Sequence, residues 1–210
     1  YHLQNAICNE FRVRKMNDSV ATLVTQVQVD ACDPSFQRPT KPIGTFMSKE
    51  DADKLAAAGV AVAEDAGRGY RQVVASPAPV RIVEEEAVRK LLDQGVTVIA
   101  GGGGGVPVVE KDGVLTGVDA VIDKDFTSVK LAETVDADVV VILTAVEKVA
   151  IRFGTPDQQW LDKLTVAEAK KYIEDKEFAE GSMLPKIRAA IKFAESKPGR
   201  KALITSLEKA

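Results

Sequence analysis

The chain has 210 residues, of which 45% are hydrophobic and 28% are charged, enough for one or two globular domains with a substantial core. Its formal net charge is −3 and no basic stripe is interleaved with aromatic residues, so we expect no nucleic-acid partner. The apolar stretches are no longer than strands and no charged leader opens the chain, which predicts no membrane span and a cytoplasmic location.

Helix and strand patterns alternate in the first half of the chain. Apolar residues recur at helical spacing from Leu3 to Phe11, which predicts a helix at the start. Residues Ala21 to Val29 alternate between apolar and polar, as a half-buried strand does. An amphipathic helix is predicted over Ile82 to Leu92, with Gly95 as the residue that ends it. A strand over Val96 to Ala100 follows.

The second half continues the alternation. The uninterrupted apolar run Val139 to Leu143 is typical of a central parallel strand. Thr165 and Glu168 form a capping-box pattern that opens a helix. The other predicted elements are a helix marked by Val129, Ala132 and Val135, a helix with Pro185 in its first turn, and a strand over Lys201 to Thr205. Alternating helices and strands predict a layered α/β fold with a largely parallel sheet.

The segment from Ala31 to Pro79 interrupts this alternation. It contains the proline-bounded loop Arg38 to Gly44 and the glycine-rich stretch Glu64 to Tyr70, and Ser48 is placed to cap a helix inside it. We interpret the segment as a small inserted lobe. The residues alone leave two roles open: a lid beside a catalytic site, or a structural excursion that covers a sheet edge.

Two short stretches have the character of a phosphate site. The strand ending at Ala100 leads into five glycines, Gly101 to Gly105, whose backbone N–H groups can approach anionic oxygens closely. The apolar run Val118 to Ile122 leads into Asp123, Lys124 and Asp125, where a lysine is flanked by carboxylates that can orient it or help to hold a metal. Alone, the Asp-Lys-Asp sequence also fits a solvated turn.

Histidine and cysteine usage narrows the chemistry. The single histidine, His2, lies at the start of the chain, so neither a Ser-His-Asp triad nor a histidine-rich zinc site is expected. Cys8 and Cys32 form no CxxC pair and are expected to be ordinary thiols. The working groups of an enzyme would then be Lys, Asp, backbone amides and Mg²⁺, a set that suits phosphoryl transfer.

Five motifs together resemble carbamate kinase, a branch of the amino-acid kinase family, over essentially the whole chain. They are Pro39 to Gly44, Glu64 to Arg71, Gly101 to Val106, Val121 to Asp125 and Gly181 to Lys186. The resemblance implies a three-layer α/β/α sandwich in which residues 1–30 and 80–210 form the kinase core and residues 31–79 form an inserted lid. It also implies a homodimer that converts carbamoyl phosphate and MgADP reversibly into carbamate and ATP, with arginine fermentation as the pathway.

Carried over by position, the resemblance assigns three lysines to the transferring phosphoryl group: Lys41, Lys124 and Lys186. Asp125 would orient these lysines, and Asp123 is a weaker candidate for that role. Gly101, Gly102, Gly103 and Gly104 would present backbone amides to the phosphate. Cations that converge on a phosphoryl group stabilise the charge spread over its oxygens, so the assignment agrees with the physics of the reaction.

The nucleotide contacts implied by the resemblance lie in the C-terminal half: Thr144, Val149, Phe153 and Met183. Val149 and Phe153 equally suit a plain hydrophobic core. Many relatives have Asp where Ala145 stands, so no carboxylate acts there. No protein ligands for a metal are assigned, and Mg²⁺ is expected to accompany ATP or ADP.

The ends of the chain depart from the family pattern. The opening strand with its Gly-Gly-Asn turn and a second glycine-rich loop are absent, and the closing segment is short, so we expect a portion of a longer protein that lacks its N-terminal part. Two alternatives remain: another amino-acid kinase, such as an acetylglutamate kinase, or a nucleotide-binding fragment without turnover. The Pro39 to Gly44 motif argues against the first, because the resemblance gives it to the carbamate branch.

Overall fold

The computed structural model describes residues 1–65 and 67–209, so Ala66 of the Glu64 to Arg71 motif lies outside the described residues, as does Ala210. The chain divides into two compact units, Tyr1–Thr127 and Ser128–Ala210. The described residues form six α-helices: α1 His2–Val13, α2 Lys49–Ala57, α3 Glu85–Asp93, α4 Lys124–Thr134, α5 Val166–Glu174 and α6 Met183–Ser196.

Three helix termini lie where local sequence signals place them. The Ser48 side chain accepts a hydrogen bond from the Asp51 N–H and so caps α2. Thr165 and Glu168 form the predicted capping box of α5. Gly95 has a φ of 75° just after α3. Helix α3 begins three residues later than predicted, because residues up to Ile82 belong to a strand.

The described residues also form thirteen strands. They are β1 Ser19–Thr22, β2 Gln26–Val29, β3 Lys41–Met47, β4 Val62–Glu64, β5 Tyr70–Val74, β6 Pro79–Ile82, β7 Val96–Ile99, β8 Val106–Lys111, β9 Val114–Gly117, β10 Val139–Thr144, β11 Val149–Ile151, β12 Gln159–Leu161 and β13 Lys201–Ser206. The pairs β1–β7, β2–β8 and β10–β13 are parallel, and the other pairs are antiparallel. The predicted α/β class is confirmed.

The single strand predicted over Ala21 to Val29 is wrong, because the segment forms two strands in different sheets. Strand β1 pairs with β7, whereas β2 lies between β6 and β8 in a four-stranded sheet. Thr25 lies between the two strands, and its hydroxyl donates to the Leu23 carbonyl (3.0 Å). Burial alternates across this junction, but Val24 is exposed and Thr25 is buried, the reverse of what their residue types predict. The apolar-polar alternation of the sequence is thus interrupted where the partner strand changes.

The inserted segment 31–79 has a sheet of its own, in which β3, β5 and β4 pair antiparallel. Helix α2 lies against β4 and β5, with Ala52 buried. Asp33 joins the two ends of the segment, because its carboxylate accepts the N–H groups of Ser35 (2.8 Å) and Ala78 (3.1 Å). The segment therefore has the local structure of a small lobe, and its action as a lid stays a prediction.

The second unit contains the parallel pair β10–β13, with α6 packed against both strands. Its core includes Val149, Phe178 and Ile187, all buried. The parallel pairing predicted for Val139 to Leu143 is confirmed. Among the described residues, however, β10 pairs only with β13, and the side chains on one of its faces, Val139 among them, are about half exposed. An apolar composition indicates a strand but not how many neighbours it has. None of the described helices is long and apolar enough to cross a bilayer.

Candidate active site

The five-glycine loop follows β7 and has a conformation that other residues rarely adopt. Gly101, Gly103, Gly104 and Gly105 all have positive φ, from 66° to 100°. At Gly104 a Cβ atom would also overlap the carbonyl oxygen of Ile122, the residue before the Asp-Lys-Asp turn. Glycine is required at this position both for its backbone angle and for the close approach of two chain segments.

Two buried threonines hold the loop at its ends. The Thr25 hydroxyl oxygen accepts the Gly101 N–H (2.8 Å), and the Thr127 hydroxyl donates to the Gly104 carbonyl (2.7 Å). Both side chains are almost completely shielded from solvent. The sequence reasoning missed both residues. The available signal was the position of Thr127 one helical turn after Asp123.

Lys41 of β3 lies against the Asp-Lys-Asp turn. Its Nζ is 2.7 Å from a carboxylate oxygen of Asp123, and the two side chains are 30% and 12% exposed. The other Asp123 oxygen accepts the N–H of Asp125 (2.9 Å) at the start of α4. One carboxylate thus both caps the helix and orients a lysine. Asp123, considered the weaker candidate from the sequence, contacts Lys41 directly.

The charges around Asp123 favour its ionised form. Burial alone would raise the pKa of the carboxyl, but hydrogen bonds from Lys41 and the Asp125 N–H, together with the charges of Lys41 and Lys124, outweigh it. The pKa of Asp123 is therefore held below its ordinary value. The shift favours the charged carboxylate, the form that accepts the hydrogen bond from Lys41.

Lys124 and Asp125 form the first turn of α4. Lys124 is exposed, whereas Asp125 is 5% exposed. A cation at a helix N-terminus is repelled by the helix dipole, typically by about 0.3–1 kcal/mol. The N–H groups of Asp125, Phe126 and Thr127 are used by Asp123, so the attraction for an anion here comes mainly from the exposed lysine charge. The orienting role of Asp125 stays a prediction.

The second unit contains an apolar cavity of about 220 Å³. Four residues singled out from the sequence, Thr144, Phe153, Met183 and Lys186, line it. Val149 does not line the cavity and lies in the adjoining hydrophobic core. Its contact with a nucleotide stays a prediction. The cavity has the apolar lining and the few polar groups typical of small-molecule sites.

Lys186 lies in the first turn of α6, two residues after Leu184 and next to Pro185, as the sequence predicted. Residues that the sequence reasoning missed also line the cavity, among them Phe178 and Glu177. Trp160 packs edge-on against Phe153, with ring centroids 6.3 Å apart. No local motif marks these residues, so only the folded chain could identify them.

The described residues offer no cluster of three or more His, Cys, Asp or Glu side chains suited to a metal. Mg²⁺ in phosphoryl-transfer sites is commonly held by substrate phosphates, water and one or two carboxylates. The expectation that Mg²⁺ accompanies the nucleotide stays a prediction.

A family model described as the amino acid kinase family matches residues 43–206. The chain therefore belongs to the amino acid kinase family. It is 57% identical over 210 residues to the carbamate kinase-like protein YqeA of Escherichia coli (strain K12), and covers 68% of that protein. It is 54% identical over 209 residues to carbamate kinase 2 of Enterococcus faecalis (strain ATCC 700802 / V583), and covers 67% of it. These identities extend over 100% and 99% of this chain.

Solved structures agree with this assignment. The chain matches the Giardia lamblia carbamate kinase bound to AMP-PNP with a TM-score of 0.87 and 42% identity, over 99% of this chain and 66% of that one. Within the family, the chain is thus a member of the carbamate kinase branch, and the predicted amino-acid kinase fold is confirmed. It spans about two thirds of the length of these relatives, and the expected lack of the N-terminal glycine loops stays a prediction.

Proposed function

We propose that this protein is a carbamate kinase that transfers a phosphoryl group reversibly between carbamoyl phosphate and ADP, giving ATP and carbamate. The observation that supports the proposal most strongly is the match to carbamate kinases at above 50% identity across the whole chain. No observation favours acetylglutamate as the acceptor.

In the proposed mechanism, Lys41, Lys124 and Lys186 stabilise the charge that develops on the oxygens of the transferring phosphoryl group. The hydrogen bond between Lys41 and Asp123 supports the role of Lys41, because it fixes a lysine that would otherwise rotate freely. The exposed position of Lys124 at a helix N-terminus supports anion binding. Preorganised charges of this kind reduce the barrier because they need no rearrangement during the reaction.

We propose that the cavity lined by Thr144, Phe153 and Met183 holds the adenosine part of the nucleotide. Its apolar lining supports this role, since a purine ring is planar and largely apolar on its faces. Mg²⁺ bound to the nucleotide phosphates would neutralise part of their charge. A homodimer, a cytoplasmic location and a role in arginine breakdown are further expectations from the family resemblance.

The test is ATP formation from carbamoyl phosphate and ADP by the purified natural gene product, with its mass verified and a reaction without carbamoyl phosphate as the control. Mg²⁺-dependent ATP formation supports the proposal. Phosphorylation of N-acetylglutamate by ATP, in place of that activity, would move the protein to another branch of the family. Nucleotide binding measured by calorimetry without either reaction would leave a nucleotide-binding protein that is not a kinase.

A further inference from the structure

The glycine loop offers only part of its backbone to a ligand. The Gly101 N–H is used by Thr25, the Gly104 N–H by the Gly101 carbonyl, and the Gly105 N–H by the Gly102 carbonyl. Within the described part of the chain, the amides of Gly102 and Gly103 donate no hydrogen bond, and both residues are exposed. These two N–H groups are therefore the donors that remain for an anion.

The position of these two N–H groups depends on how the next residue of the loop, Gly104, is held. Gly104 is buried, and its carbonyl accepts the Thr127 hydroxyl at 2.7 Å. Thr127 is 1% exposed. It lies on α4 three residues after Lys124, so the two side chains are on the same side of the helix. One hydroxyl thus joins the glycine loop to the helical turn that carries the lysine.

We propose that Thr127 is a positioning residue for the phosphate site, acting through the Gly104 carbonyl. Its hydroxyl holds the free amides of Gly102 and Gly103 at a set position relative to the Lys124 ammonium. A donor is needed here and not merely a group of the right shape. Without the hydroxyl, the buried Gly104 carbonyl has no hydrogen-bond donor, which costs free energy. The loop would then be more stable in a conformation that exposes this carbonyl to water.

Two pairs of variants separate the hydroxyl from the packing. Thr127→Val keeps the shape and removes the donor, whereas Thr127→Ser keeps the donor and removes the methyl group. Thr127→Ala and Thr127→Ser differ from each other only in the hydroxyl. If the valine variant does not fold, this pair shows whether the hydroxyl is required. Thr116→Val is the control, because Thr116 is an exposed threonine of β9.

Phosphate binding is the first measurement, with inorganic phosphate added to ¹⁵N-labelled protein and the backbone amide signals followed by NMR. In the natural protein and in Thr127→Ser and Thr116→Val, the amide signals of Gly102 and Gly103 should move. In Thr127→Val and Thr127→Ala the dissociation constant for phosphate should rise by roughly ten-fold or more, as expected from an unsatisfied buried carbonyl. Urea unfolding of each variant shows whether it is folded.

The reaction is the second measurement, and only this part of the inference rests on the proposed function. In Thr127→Val we expect kcat to fall roughly ten-fold with KM for ADP within about two-fold of its natural value, because the nucleotide cavity is unchanged. Thr127→Ser should restore kcat. If the natural protein makes no ATP but phosphate binding still depends on the hydroxyl, the proposed function fails and the positioning role stands.

Two outcomes would overturn the positioning role. The first is a folded Thr127→Val or Thr127→Ala variant that binds phosphate as the natural protein does. The second is an equal loss in the serine variant and in the variants without a hydroxyl, which would assign the effect to the missing methyl group and the packing it provides.

Discussion

Replacing Lys41 by alanine should remove most of the catalytic rate while leaving nucleotide binding intact. Lys41 is 2.7 Å from Asp123 in the first unit, whereas the proposed nucleotide cavity is lined by residues of the second. Losing one preorganised charge at a transition state costs ~2.7–4 kcal/mol, or roughly 10²–10³ in kcat. The dissociation constant for ADP, measured by calorimetry, should stay near its natural value.

The same substitution should also change the pKa of the Asp123 carboxyl, which can be measured without an activity assay. Without the Lys41 hydrogen bond, the largest factor lowering the pKa of the Asp123 carboxyl is lost, so that pKa should rise in an NMR titration. Lys49→Ala is the matched control, since Lys49 pairs with Asp53 on the exposed face of α2 in the same lobe. A Lys41→Ala variant with normal kcat, or with greatly weakened ADP binding, would refute the assignment of Lys41 to the phosphoryl group.

Three further predictions concern other parts of the molecule. Lys124→Ala and Lys186→Ala should each lower kcat for ATP synthesis by roughly 10²–10³, and a near-normal rate would remove that lysine from the catalytic set. The Asp123 carboxylate should contribute fully to the free energy of unfolding above its ordinary pKa of 3.8, and this contribution should be lost as the pH falls through the lower pKa of the folded protein. In Asp123→Asn, the free energy of unfolding should therefore depend less on pH in the acid range. Phe193→Ala should cost ~3–5 kcal/mol in urea unfolding, since Phe193 is 0% exposed, and a much smaller loss would mean that its surroundings collapse into the space.

Local structure followed the sequence closely where the signal is a property of neighbouring residues. The Ser48 cap, the capping box at Thr165 and the glycine after α3 each marked a helix end, because a cap is made by residues within one turn of each other. The Ala21 to Val29 segment shows the limit of such signals. Burial alternates along the segment, but the choice of partner strand is made by distant residues in β6, β7 and β8.

At the candidate active site, the types of residue could be predicted from the sequence, but the contacts between them could not. Glycines, lysines and aspartates in these motifs indicate phosphate chemistry from the sequence alone. The contact between Lys41 and Asp123 joins residues 82 positions apart, so it depends on how a distant strand meets the turn. The sequence did not indicate Thr25 or Thr127 for the same reason, because each forms its hydrogen bond with a glycine many positions away.

The sequence by itself determined the α/β class, several helix ends, the family and the set of charged and glycine residues available for catalysis. Those properties depend on residue types and on short spacings along the chain. Only the tertiary structure decided that the amides of Gly101, Gly104 and Gly105 are used, whereas those of Gly102 and Gly103 donate to no group in residues 1–65 and 67–209. A buried backbone group finds its partner in three dimensions, so its satisfaction is a property of the folded chain and not of the residues beside it.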